Sequence, residues 1–186
     1  ANTTAVDNTA VGYLAGNANT TGAYNTFIGK DAGKTNVTGT LNSYIGEYSG
    51  RVATGDNNTF LGQNSGSGMT TGTKNTIIGR FGGNGGGVDI LTGSNNIVLA
   101  DGDGTPRVHV LSSGNMFVGR AQESTWTEGF GVESVGSGSA GTYLVTAHKS
   151  GVASGRPYHY FFFNNSVIGT IIQSGTTGVA YNTSSD

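Results

Sequence analysis

The chain contains no cysteine, so neither disulfides nor thiolate-bound metals hold it together. Charge is also scarce. Asp, Glu, Lys and Arg make up 11% of the residues, less than half the usual share of about 25%. Nine basic residues against eleven acidic leave a net charge of −2, without the basic footprint that nucleic acid requires. Proline occurs only twice, which leaves the corners of the chain to other residues. No apolar run approaches the roughly 20 residues of a membrane-spanning helix, so none is expected. The opening stretch is polar, with no basic region before an apolar one, so no signal peptide is expected either. Glycine is what the chain has in excess, at 34 of 186 residues. Glycine weakens strand interiors, so this much of it implies many tight corners. Low net charge and recurrent Val, Ile and Thr argue against disorder, and the expectation is an ordered all-β chain.

The first hundred residues repeat. Asn8-Thr9-Ala10-Val11-Gly12 recurs as Asn25-Thr26-Phe27-Ile28-Gly29, Asn42-Ser43-Tyr44-Ile45-Gly46, Asn58-Thr59-Phe60-Leu61-Gly62 and Asn75-Thr76-Ile77-Ile78-Gly79, at spacings of 17, 17, 16 and 17. A second glycine follows each Asn by eight residues, at Gly16, Gly33, Gly50, Gly66 and Gly83. A Thr-Gly pair precedes the later copies, at Thr21-Gly22, Thr38-Gly39, Thr54-Gly55 and Thr71-Gly72. A degenerate sixth copy, Asn96-Ile97-Val98-Leu99, follows Thr92-Gly93 after a glycine-rich insertion at Gly82 to Gly87 that reads as flexible. Biased composition alone does not hold three markers in phase, so the pattern predicts a β-roll or β-helix-like solenoid. Each repeat should give a short strand, a corner, a second short extended piece and another corner. Glycines should turn the corners, and the asparagines should bond local backbone or stack rung on rung.

Each strand carries two adjacent apolar residues, such as Phe27-Ile28 and Phe60-Leu61. Neighbours on a strand point to opposite faces. One residue of each pair can fill the roll, and the other should form an apolar stripe outside it, which invites association. Closed three-fold assembly suits a fibre, although the stripe alone does not fix the number of copies.

This Asn-Thr-x-Ile-Gly … Ala-Gly … Thr-Gly repeat resembles those of phage tail-fibre proteins and, more loosely, the heads of YadA-type trimeric autotransporter adhesins. The resemblance implies rolls packed as a homotrimer. Further on, Ile97-Val-Leu-Ala, Arg107-Val-His-Val and Met116-Phe-Val-Gly read as three strands joined by turns at Asp101-Gly-Asp-Gly104 and Ser112-Ser-Gly-Asn115. That segment is similar to a connector that follows the repeats in tail fibres. A boundary falls near Arg120, giving a repeat shaft over 1–100, a connector over 101–120 and a C-terminal β tip over 121–186. In the tip, Pro157 to Phe163 and Ser166 to Gln173 flank Asn164-Asn165, which suits a type I′ hairpin because Asn tolerates positive φ. Tyr158 to Phe163 is apolar on both faces, which an intertwined trimer core would hide. The ending, Ser174 to Asp186, resembles the stretch before the self-cleaving intramolecular chaperone of endosialidase-type tail spikes and fibres. In that family Tyr-Asn-Thr-Ser-Ser-Asp runs into a helical chaperone that trimerises the fibre and cuts itself off before the Asp. The resemblance puts that junction at Ser185 and Asp186, although here Asp186 is retained.

Little in the sequence speaks for catalysis. Asp101-x-Asp103-Gly104 has the start of a calcium loop but no Glu at the required distance, and Asp-Gly reads as a hairpin turn. His109, His148 and His159 accompany no Gly-x-Ser-x-Gly elbow. Glu47, Glu123, Glu128 and Glu133 read as solvated carboxylates, the rival being a glycosidase pair in a polysaccharide-degrading spike. The densest amphipathic set is Trp126, Tyr143, His148, Arg156, Tyr158 and His159, with Tyr160 beside them. Aromatic rings stack on sugars, and Tyr and Arg add directional hydrogen bonds. Their alternative role, above all for Tyr158 and Tyr160, is trimer core. The expectation is therefore a non-enzymatic tail-fibre adhesin on the extracellular face of a virion. It has no cofactor or metal and does not insert into membranes. Its partners are its own copies, the rest of a phage tail, and a host surface glycan or outer-membrane receptor. A trimeric bacterial surface adhesin is the remaining alternative.

Overall fold

A computed structural model describes residues 4–119 in full and, beyond them, the backbones of five strands. Among the described residues every regular element is a strand. Five short strands, β1 (Thr9–Val11), β2 (Thr26–Ile28), β3 (Ser43–Ile45), β4 (Thr59–Leu61) and β5 (Thr76–Ile78), pair in parallel, each in register with the next. The degenerate sixth copy forms β8 (Ile97–Ala100), which pairs parallel with β5. Among the described residues the repeat region thus forms a helix-free, β-solenoid-like stack of rungs, as the phase of the repeat implies. The shorter spacing between Asn42 and Asn58 leaves the register intact, because Tyr44 still faces Phe60. The missing residue is absorbed on the far side of the rung, where Ala53 runs directly into Thr54-Gly55.

Glycine ends each strand. Gly12, Gly29, Gly46, Gly62 and Gly79 share one corner with φ between 104° and 132°, a region that side chains rarely enter. At Gly46 a Cβ would also collide with the carbonyl of Gly62 on the next rung. Gly46→Val should therefore destabilise the fold by about 1–3 kcal/mol per chain from backbone strain alone. Denaturant titration reads the loss, and an unchanged midpoint would contradict this account of the corner.

The return leg departs from the expected second extended piece. It is a run of turns, in which Leu14, Asp31, Tyr48 and Asn64 adopt φ of 54° to 59° and the glycines two residues later do the same. Local bonds such as Asn19 N–H to Gly16 O and Ala53 N–H to Gly50 O tighten it. Bonds between rungs, such as Gly33 N–H to Ser49 O and Thr35 N–H to Arg51 O, hold it in step. Two left-handed residues so close together bend the backbone back on itself, which a strand cannot do. The insertion also differs from expectation. It folds into a small hairpin of β6 (Asn84–Gly85) and β7 (Val88–Asp89), and Phe81, Val88 and Ile90 extend the core under it.

The inward position of each strand fills the roll with Phe27, Tyr44, Phe60, Ile77 and Val98, all essentially buried. Tyr44 stacks between Phe27 and Phe60 at centroid separations of 5.4 and 4.9 Å. Its hydroxyl, buried inside the roll, has no hydrogen-bond partner of good geometry. Burial pushes the phenol well above its ordinary value of 10.0, with the neighbouring Asn58 acting in the opposite sense. The unfolded chain releases this proton near pH 10, whereas the folded chain holds it. Stability should therefore fall as pH rises above about 10. Tyr44→Phe should remove that alkaline loss and add up to about 1 kcal/mol at neutral pH, because an unpaired buried hydroxyl is costly. Denaturant midpoints at pH 7 and pH 11 check both, and a destabilised variant would refute the reading.

After β8 the sheet turns antiparallel through β9 (Pro106–Val110) and β10 (Met116–Val118), the two hairpins expected of the connector. Asp101 builds the first turn. One carboxylate oxygen accepts from the amides of Asp103 and Thr105 at 3.1 and 2.9 Å, and the other accepts from the Arg107 guanidinium. The Thr105 amide and then Arg107 hold this carboxyl below its ordinary range. The backbone ladder continues into β11 (Gly129–Ser134) and β12 (Thr142–Ala147). A separate antiparallel sheet holds β13 (Pro157–Phe163), β14 (Ser166–Ser174) and β15 (Gly178–Thr183). Phe163 faces Ser166, as a hairpin through Asn164-Asn165 requires, although those two residues lie outside the described set.

Candidate functional site

Strand alternation that buries Phe27 must expose Ile28. Because every rung is in register, the exposed residues align in one column of Val11, Ile28, Ile45, Leu61, Ile78 and Leu99, between 37% and 57% exposed. Rungs of a parallel sheet lie about 4.8 Å apart, close enough for these aliphatic groups to form one continuous ridge. At the connector the ridge widens. Leu99 pairs with Val108 and Val108 with Val118, while Ile97 pairs with Val110 and Val110 with Met116. The alternate positions Val98, His109 and Phe117 are buried on the other face. The outer face of the stack thus carries an apolar ridge along its length, with a column of Thr9, Thr26, Ser43, Thr59 and Thr76 beside it. Scattered exposed aliphatics are ordinary, but a contiguous column is a mark of association.

A buried asparagine ladder holds that column in line. The backbone amides of Asn25, Asn42, Asn58, Asn75 and Asn96 each donate to the side-chain oxygen of the Asn one rung earlier, at 2.9 to 3.0 Å. The side-chain amides of Asn8, Asn25, Asn42, Asn58 and Asn75 donate to the carbonyls of Gly22, Gly39, Gly55, Gly72 and Gly93. Each asparagine therefore does both things the sequence suggests, bonding backbone and linking rungs. At the last rung His109 closes the ladder, with Nε2 3.2 Å from Asn96 Oδ1.

A second feature, polar and charged, sits on the adjoining corner of rungs two to four. Lys30 donates to Tyr48 Oη at 2.8 Å and to Glu47 at 3.3 Å, and its ammonium lies 4.9 Å from the Tyr48 ring centre. The Arg51 guanidinium lies 5.3 Å from the same ring and 3.9 Å from Asp31, which also pairs with Lys34. The Gln63 amide and then Lys30 hold Glu47 below the usual carboxylate range, while Tyr48 and then Glu47 raise Lys30. Apart from the second carboxylate oxygen of Asp31, which is buried without a hydrogen-bond partner, these groups satisfy one another, so the corner works first as a brace between rungs. Sequence reasoning did not assemble it, although the repeat spacing does place Lys30, Glu47 and Gln63 in one column.

The other predicted positions divide. Ile28, Ile45, Leu61 and Ile78 form the ridge, Gly29, Gly46, Gly62 and Gly79 one corner, and Asn25, Asn42, Asn58 and Asn75 the ladder. Tyr143 lies on β12 opposite Glu133 of β11, and Tyr158 and His159 lie on β13, with an irregularity in register between Pro157 and His159. Trp126, His148, Arg156, Ser185 and Asp186 lie outside the described residues. Among the carboxylates weighed for catalysis, Glu47 belongs to the brace and Glu133 to β11, while Glu123 and Glu128 lie outside the described residues.

The fold therefore defines a β-solenoid-like repeat protein with a buried asparagine ladder and an apolar outer ridge. No protein-family model, curated protein or solved structure matches this chain.

Proposed function

We propose that the chain is the receptor-facing part of a homotrimeric phage tail fibre, with the roll as shaft and the C-terminal sheets as tip. The observation that carries the reading is the unbroken apolar ridge on the outside of the stack. A shaft of identical rungs with one apolar edge suits three copies meeting along an axis, each ridge covered by its neighbours. The near-neutral surface, rich in amide and hydroxyl groups, suits a neutral glycan or another surface receptor. The resemblance of the repeat and of the Tyr181 to Asp186 ending to tail-fibre sequences points the same way. On this reading the aromatic strands of the tip are intertwined around the trimer axis. Their loops carry recognition, because loops on a rigid scaffold concentrate binding residues while the shaft repeats one monotonous surface. Three weak glycan contacts would reinforce one another through effective concentration.

The test replaces Trp126 and Arg156 by alanine. Each variant should remain assembled by sedimentation and should bind host cells at least about tenfold more weakly, as loss of an aromatic or Arg anchor does. Unchanged binding in both, together with loss of binding on altering the shaft surface, would contradict the placement.

A further inference from the structure

The outer face of the sheet changes character at the sixth copy of the repeat. Along the first five, the column beside the aliphatic ridge carries hydroxyls, at Thr9, Thr26, Ser43, Thr59 and Thr76. In the next strand that column turns apolar, because Thr76 is opposite Ile97, Ile97 opposite Val110 and Val110 opposite Met116. The ridge itself runs on beside it through Leu99, Val108 and Val118. β8, β9 and β10 therefore present two adjacent apolar columns, each three side chains long, where the repeats present one. Ile97, Leu99 and Val118 are 45%, 39% and 36% exposed, and Val108, Val110 and Met116 are half-buried. The alternate residues Val98, His109 and Phe117 are buried on the other face. These strands carry one permanently charged side chain, Arg107, and Asp101 at the turn binds its guanidinium at 2.8 Å.

An aliphatic group beside a threonine sits next to water that the hydroxyl holds. One surrounded by other aliphatic groups can be dried completely by a partner, and interface energy concentrates at such dry, charge-poor centres. The paired columns continue the shaft ridge in the same register. A partner that covers both without a break must be as long as the stack, and another copy of this chain, at the same height, is.

We propose that the paired apolar columns on β8, β9 and β10 are the main clamp between copies of this chain. The connector sheets meet patch against patch around the assembly axis, and the shaft ridges align the copies rung by rung. This inference rests on the homotrimeric reading above and adds where along the chain the assembly is held.

Ile97→Thr, Val110→Thr and Met116→Thr together carry the hydroxyl column of the repeats through the connector. Threonine suits a strand, and four of the five preceding rungs hold it in this column, so the fold should persist. In sedimentation equilibrium the concentration of half-dissociation should rise at least about 100-fold, from the loss of buried apolar groups at three sites in every copy. Ile97→Thr alone should raise it about tenfold. The control removes as many aliphatic groups from the shaft, as Ile28→Thr, Ile45→Thr and Leu61→Thr, and should give no more than about a tenth of the connector shift. Each variant should keep the β spectrum of the parent in circular dichroism, and Ile97→Thr decides the case if the triple variant loses it. Unchanged assembly of the connector variants, or a shaft variant that dissociates as readily as they do, would overturn the clamp and leave the trimer standing. Lower denaturant stability at unchanged assembly would place the patch under another part of the same chain and overturn the clamp too. A parent chain that is monomeric at every concentration would overturn the trimer and the clamp together.

Discussion

Asn58→Ala is expected to cost about 2–6 kcal/mol per chain, because it leaves two buried polar groups unpaired at about 1–3 kcal/mol each. The Asn58 side-chain oxygen accepts from the Asn75 amide at 3.0 Å and the Asn75 side chain at 3.2 Å, and its side-chain amide donates to Gly72 O at 2.9 Å. Asn58 is fully buried, so truncation leaves the Asn75 N–H and the Gly72 carbonyl with no water to replace their partner. Asn58→Asp should be no rescue, because a carboxylate cannot donate to Gly72 O and would carry charge into the roll. Denaturant titration measures both variants. A loss for Asn58→Ala below about 1 kcal/mol, the lower bound for a single orphaned group, would mean that the ladder is incidental to stability.

The second large effect concerns assembly. Ile45→Lys and Leu61→Lys alter adjacent members of the outer ridge, at positions 37% and 45% exposed in the single chain. Neither side chain reaches the roll interior, so the rung itself should tolerate the change. If three ridges pack on one another, six ammonium groups are forced together without counter-charges. An unpaired charge buried at an interface costs about 3–5 kcal/mol. The double variant should therefore be monomeric at concentrations where the parent is fully assembled, with its β spectrum retained. An assembled double variant would remove the ridge from the interface.

Much of the repeat region was legible in the sequence, because one set of residues repeats in phase and each has a single physical use. Asn25 and Asn42 bond between rungs, Phe27 and Tyr44 fill the roll, Ile28 and Ile45 point out, and Gly29 and Gly46 turn the corner. What could not be read are the positive φ values of residues that are not glycine. Tyr24, Leu41 and Lys74 sit at φ of 58° to 59° just before the ladder asparagines. Nothing in their side chains asks for that conformation. The closure of a rung within a single repeat imposes it, and bonds between rungs such as Leu41 N–H to Ala23 O hold it. The same closure makes the return leg a run of turns. The brace at Lys30, Glu47 and Tyr48 was missed because its members lie a full repeat apart and meet only once the pitch of the roll is known. In the C-terminal strands no repeat constrains the reading, so the pairing of β13 with β14 followed from Asn164-Asn165, while the roles of Tyr158 and His159 rest on chemistry alone.

The most direct measurement is the mass of the purified chain in solution, by sedimentation equilibrium across a range of concentrations. A ridge that exists to be covered predicts one species at three times the 18.8 kDa chain mass, persisting on dilution. A folded monomer at all concentrations, with the ridge stable in water, would contradict it.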